Sequence, residues 1–120
     1  MRTLVAILAA VIASGSVAAA VGARSDTVRL SGTVGPGFTI TLKNRAKAVK
    51  FLAPAKYTFV IADKSNIHNF HLTGPGVNRK TTVGGTGTTT WTMTLRAGTY
   101  KYVCDPHASL MRGRFVVRAP

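Results

Sequence analysis

From Val28 onward, large apolar side chains recur at every second position. Val28/Leu30, Phe38/Ile40/Leu42, Val49/Phe51, Tyr57/Phe59/Ile61, Trp91/Met93/Leu95, Tyr100/Tyr102/Cys104 and Phe115/Val117 are spaced in this way, with Thr, Lys and Arg between many of them. Side chains of a strand point alternately to its two faces, so this period predicts strands with one buried and one solvated face. It is clearest where Thr90, Thr92 and Thr94 alternate with Trp91, Met93 and Leu95, since β-branched threonine suits a wet sheet face. Gly35-Pro36-Gly37, Ala53-Pro54-Ala55, Gly74-Pro75-Gly76, Gly84-Gly85-Thr86-Gly87 and Ala97-Gly98 supply turns where strands should end. No stretch after Ala23 holds a helical apolar spacing. Roughly seven or eight short strands predict an all-β fold, a Greek-key antiparallel β-sandwich. Gly74 to Gly87 has little to bury and reads as a long loop, with a short strand at most near Lys80 to Val83.

The N-terminal part follows a different pattern. Met1-Arg2-Thr3 is a short positive start, Leu4 to Ala13 is unbroken apolar, and Ser14 to Ala23 offers small residues for cleavage after Ala20 or Ala23. This is the pattern of a secretory signal peptide. With cleavage after Ala23, residues 1–23 are the leader, 24–27 a short linker and 28–118 the folded domain. The competing reading is an uncleaved anchor. Leu4 to Ala23, interrupted by Ser and Gly, is marginal against the ~20 apolar residues a bilayer needs. The expected location is outside the cytoplasm, in the periplasm or cell envelope, with no membrane span in the mature protein.

Charge narrows the chemistry. The 120 residues carry 16 Lys plus Arg against three acidic residues, for a net charge of +13. Asp26, Asp63 and Asp105 are too scattered for a glycosidase carboxylate pair or a calcium loop. The aromatics fall in strand-core parity, unavailable for base stacking, so the positive charge does not imply nucleic acid. Cys104 is the one cysteine and closes no internal disulfide, so stability must come from the core.

Cys104, His107 and Met111 lie within eight residues in Tyr100-Lys101-Tyr102-Val103-Cys104-Asp105-Pro106-His107-Ala108-Ser109-Leu110-Met111-Arg112-Gly113. If Cys104 ends a strand and the chain turns over, all three can face one point. Thiolate, imidazole and thioether form a soft donor set that suits copper better than calcium or magnesium. A further imidazole must come from elsewhere, from His68 or His71. Each residue also has a plainer reading, as a small buried hydrophobe, core filler or surface histidine. A plain buried cysteine predicts neither a histidine three residues on nor a methionine beyond it. A thiol nucleophile with His107 as base lacks an orienting group, and a structural zinc site favours four close N/S ligands.

These residues resemble the small blue copper proteins, the cupredoxins, over nearly all of the chain after the leader. The family places one histidine ligand in a His-Asn pair, as in His68-Asn69, and the others in a Tyr-rich strand ending in Cys, then Pro-His, then Met and Gly. Val34-Gly35-Pro36-Gly37-Phe38-Thr39-Ile40 and His68-Asn69-Phe70-His71-Leu72-Thr73-Gly74-Pro75-Gly76 look like a bacterial plastocyanin/azurin-type subgroup. The resemblance implies one type 1 copper ion held by His68, Cys104, His107 and Met111. Three residues separate His107 from Met111, where plastocyanin-like loops commonly have four and amicyanin-like loops two. Parity also favours His68 over His71, because His68, Phe70 and Leu72 share a face. Asn69 would tie the His68 loop to the backbone near Cys104.

The function expected is that of an exported electron carrier, not an enzyme, and a monomer. Phe70, Phe38 and Leu110 would form the apolar shell, and the outer edge of His107 would be the electron port. Lys101, Arg112 and Arg114, with Arg79 and Lys80 beside them, would steer an acidic redox partner. The alternative is a copper-holding or metal-free β-sandwich module without electron transfer. A binuclear copper centre needs two cysteines, and a multicopper oxidase needs more histidines and more chain.

Overall fold

The structure is a computed structural model and describes residues 14–15 and 26–120. Apart from residues 14–15, the leader expected over 1–23 lies outside the described residues, as does the beginning of the linker. No helix among the described residues is long and apolar enough to cross a membrane.

Among the described residues ten strands follow one another: β1 (Val28–Val34), β2 (Ile40–Asn44), β3 (Lys47–Ala48), β4 (Phe51–Leu52), β5 (Ala55–Asp63), β6 (His71–Gly74), β7 (Val77–Lys80), β8 (Gly87–Leu95), β9 (Gly98–Val103) and β10 (Arg112–Val117). They form two five-stranded sheets, ordered β3-β2-β1-β5-β8 and β4-β10-β9-β6-β7. The chain passes between the sheets repeatedly, as the expected sandwich requires. Two pairs are parallel: β1 beside β5, from Val28↔Tyr57 to Val34↔Asp63, and β10 beside β4. Alternation of side chains shows which face is buried but not which way a neighbour runs, so these pairings were invisible in the pattern.

Leu30, Val34, Phe59, Ile61, Leu95, Tyr100 and Phe115 meet between the sheets at no more than 1 % exposure. Their alternation is that of the sequence. Tyr100 stacks on Phe115, with ring centroids 5.2 Å apart, and its hydroxyl donates to the Arg96 carbonyl at 2.8 Å. Tyr57 likewise donates to the Ala53 carbonyl at 2.6 Å. A large ring can thus be buried while its one polar atom stays partnered.

The alternation fails at strand ends. Val28, Phe38 and Phe51, expected inside, are 47 %, 56 % and 58 % exposed. Phe38 precedes β2 rather than belonging to it, and β4 is only two residues long, so no facing sheet covers either ring. The short strand expected near Lys80 to Val83 lies earlier, as β7, pairing with β6 from Gly74↔Val77 to His71↔Lys80. The Pro75-Gly76 turn sets this register, with Gly76 at φ 69°.

Candidate metal centre

One end of the sandwich collects the chemistry. β9 stops at Val103, and Cys104 follows in extended conformation, φ −92° and ψ 117°. Pro106, with no N–H to lose and φ already restricted, allows a single 3₁₀ turn over Asp105–His107. The loop closes on itself. His107 N–H donates to the Cys104 carbonyl at 3.0 Å, Met111 N–H to the His107 carbonyl at 2.8 Å, and Cys104 N–H to the Met111 carbonyl at 3.0 Å. Three residues between His107 and Met111 therefore suffice to return the chain to its start and bury Met111 completely.

Across from this loop, β5 ends at Asp63. The Oδ1 atom of Asp63 accepts from Ser65 N–H at 3.0 Å and holds the turn leading to His68. Burial pushes the Asp63 carboxyl above its ordinary value, against the lowering effects of that N–H and of a charge on His68. Gly35, at the end of β1 with φ 65°, lets the backbone approach the histidine. A Cβ there would stand 3.0 Å from Ser65 Cβ and 3.4 Å from His68 Cδ2.

The result is a tight triangle. His68 Nδ1 and His107 Nδ1 are 3.1 Å apart, and each lies 3.6 Å from Cys104 Sγ. Donors about 2.0–2.1 Å (nitrogen) and about 2.3 Å (sulfur) from a shared first-row ion would stand roughly 3.1–3.8 Å apart for angles of about 100–120° at the ion. Cys104 and His68 are buried, at 0 % and 1 % exposure, and His107 is half-buried. Among the described residues, these form the group of His, Cys, Asp or Glu side chains able to share an ion, with donor atoms all within 4.8 Å of one another. The spacing and softness of the set fit copper, and no carboxylate intrudes.

His71 is not part of the triangle. It begins β6, where its Nδ1 meets Asp105 Oδ1 at 2.8 Å and its Nε2 meets Asn78 Oδ1 at 2.6 Å. Burial pulls its pKa down, but the hydrogen bonds to Asp105 and Asn78 and the Asp105 charge outweigh this, leaving it raised. Asp105 shows the converse. Burial acts to raise its pKa, and the hydrogen bonds from His71 and Asn69, with the charges of His71 and Lys80, bring it below the ordinary value.

Asn69 ties the two segments together as expected. Its backbone N–H points at Cys104 Sγ at 3.5 Å, and its side-chain Oδ1 accepts from Asp105 N–H at 2.8 Å. Its Nδ2 donates to Asp105 Oδ2 at 2.7 Å and to the Thr81 carbonyl at 3.3 Å. Sequence reasoning overlooked Asp105. Its signal was its rarity, one of three acids in a chain of +13, placed between Cys104 and Pro106.

The apolar surroundings differ in part from expectation. Phe70 is fully buried and stacks on Tyr102, with centroids 5.4 Å apart. Phe38 stands edge-on to both imidazoles, with centroids 5.4 Å from His68 and 4.9 Å from His107, and covers the triangle from the Gly35–Gly37 turn. Leu110 is 71 % exposed and belongs to the rim, not the shell.

A family model, copper-binding proteins of the plastocyanin/azurin family, matches residues 33–118. This chain belongs to that family. Solved structures agree with the fold of this cupredoxin. Reduced rusticyanin matches at 24 % identity over 77 % of this chain and 79 % of its own, with a TM-score of 0.60. Rusticyanin from Thiobacillus ferrooxidans matches at 24 % identity over 77 % of each chain, TM-score 0.55. Reduced rusticyanin solved by NMR shares 28 % identity over 77 % of each chain, TM-score 0.53. No curated protein matches. Copper is therefore the cofactor on two independent grounds, the family and the donor set of this cupredoxin.

Proposed function

We propose that this cupredoxin is an exported carrier of single electrons, in which His68, Cys104, His107 and Met111 would hold the copper. The observation that carries the reading is the convergence of two imidazoles and one thiol, from segments 36 residues apart, within 4.8 Å. A copper ion so held supplies one-electron redox chemistry. The protein's own part is to keep the donors still. Asn69 N–H supports a thiolate on Cys104, and Pro106, lacking an N–H, offers no second backbone donor there. Phe38 shields the imidazoles from water. Closed hydrogen bonding of the Cys104–Met111 loop means that little has to move when the charge of the site changes.

His107 is the donor nearest solvent, beside exposed Pro106, Ala108 and Leu110. Next to this loop, a depression is lined by Lys101, Arg112 and Arg114 together with Val103, Ala108 and Gly113. An apolar contact ringed by cations suits brief, salt-sensitive docking of an acidic redox partner. That rusticyanin is known in a reduced form supports a redox reading. Export rests on the sequence of residues 1–23.

Copper titration followed by visible spectroscopy tests the reading. The loaded protein should absorb intensely near ~600 nm, as a thiolate-to-copper transition does. The band should vanish in Cys104→Ala and persist in His71→Ala. A protein that binds copper but stays colourless would leave only the module without electron transfer. A band lost in His71→Ala but kept in His68→Ala would overturn the ligand assignment.

A further inference from the structure

The pole of the sandwich opposite the metal centre carries a distinct surface. β1 spans seven residues from Val28 to Val34, and its far end leads into the Gly35 turn at His68. Val28 thus lies about 20 Å from the histidine end. Beside Val28, the β2–β3 turn and residues 50–52 frame a depression of about 940 Å³. Its lining includes Arg29, Arg45, Lys47 and Lys50 together with Val28 and Phe51. Arg118 adds a further cation, its guanidinium 4.0 Å above the Phe51 ring. All five cations are exposed. Only Asp26 opposes them in sequence, since Asp63 ends β5 beside Val34 and Asp105 follows Cys104, both at the metal-bearing end.

We propose that this pole docks on an anionic phospholipid bilayer, with the cations on headgroup phosphates and Phe51 and Val28 at the interface. A polyanion in solution would need only the charges. Exposed apolar side chains inside a basic ring match the layered chemistry of a bilayer surface, where phosphates lie above an apolar boundary. Arginine and lysine can keep their heads at the phosphates while their stems cover the neighbouring ring. Docking at this pole turns the His107 edge away from the bilayer, toward solution, and does not depend on the identity of the metal.

Co-sedimentation of the copper-loaded chain without its leader, residues 24–120, with phosphatidylcholine vesicles, with and without about 30 mol % phosphatidylglycerol, tests the proposal. The expected result is roughly tenfold stronger binding to the anionic vesicles, lost at high salt. Arg45→Glu/Lys47→Glu/Lys50→Glu should abolish that preference, whereas Arg112→Glu/Arg114→Glu should retain most of it. Phe51→Trp, read against the single buried Trp91, should shift its emission to the blue on anionic vesicles, and this readout survives if the triple variant fails to fold. An unchanged preference in the triple variant with its blue colour intact would overturn the proposal, as would loss of preference in Arg112→Glu/Arg114→Glu alone. An unshifted Trp emission with equal binding to soluble dextran sulfate would overturn it in favour of an anionic polymer.

Discussion

The carboxamide of Asn69 is 1 % exposed in residue terms and bonds both the backbone and the side chain of Asp105. Replacing it with Ala removes these partners and leaves a half-buried N–H unsatisfied, which should cost about 1–3 kcal/mol. The copper band should survive, because the donor to Cys104 Sγ is the backbone N–H of residue 69, not its side chain. Thermal unfolding and the visible spectrum together check this. His71 makes a separate prediction for the metal-free protein. A histidine whose folded pKa is raised adds stability fully present below its unfolded value and lost as pH rises through the folded one. Asp105, held below its ordinary value, remains ionised through that window. Wild type should therefore exceed His71→Gln by a few tenths of a kcal/mol near about pH 5.5, and the gap should close by about pH 8.5. Denaturant melts at the two pH values decide it; a gap that widens with pH would contradict the pairing.

At the scale of elements, the metal centre depends on where strands stop. β1 delivers Gly35 to His68 only because residue 35 can adopt φ 65° and carries no Cβ to meet Ser65. Gly35→Ala should destabilise the fold by about 1–2 kcal/mol and displace the histidine, seen as a shifted or weakened copper band. A melt and spectrum identical to wild type would show that the turn does not position His68. Strand interiors such as Tyr57 to Ile61 were legible because burial there follows directly from period two. Their ends were not, because a side chain beyond the last facing strand has nothing to be buried against, as Phe38 and Phe51 demonstrate. Phe38 nevertheless acquires a role, covering two imidazoles, that alternation could not assign.

At the scale of the molecule, metal and fold are linked, since a copper ion that binds the assembled triangle and not the open chain stabilises by mass action. At free copper about a thousandfold above the dissociation constant the gain is about 4 kcal/mol, so chelation should lower the melting temperature by roughly 15–30 °C. Differential scanning calorimetry with and without chelator measures this. The same melt in Cys104→Ala should show little response to copper. Sequence alone determined the all-β class, the polar and apolar faces, and the donor types, because these follow from side-chain chemistry and short-range spacing. It could not choose between two histidines by chemistry, since His68 and His71 are alike as residues; parity and the His-Asn pair only favoured one. The tertiary structure decided by bringing His68, not His71, to 3.6 Å from Cys104 Sγ, and by giving His71 to Asp105. The parallel alignment of β1 with β5, the closure of the Cys104–Met111 loop and the basic pole opposite the site were likewise tertiary outcomes. Each depends on contacts between residues far apart in the chain, whose partners local periodicity does not specify.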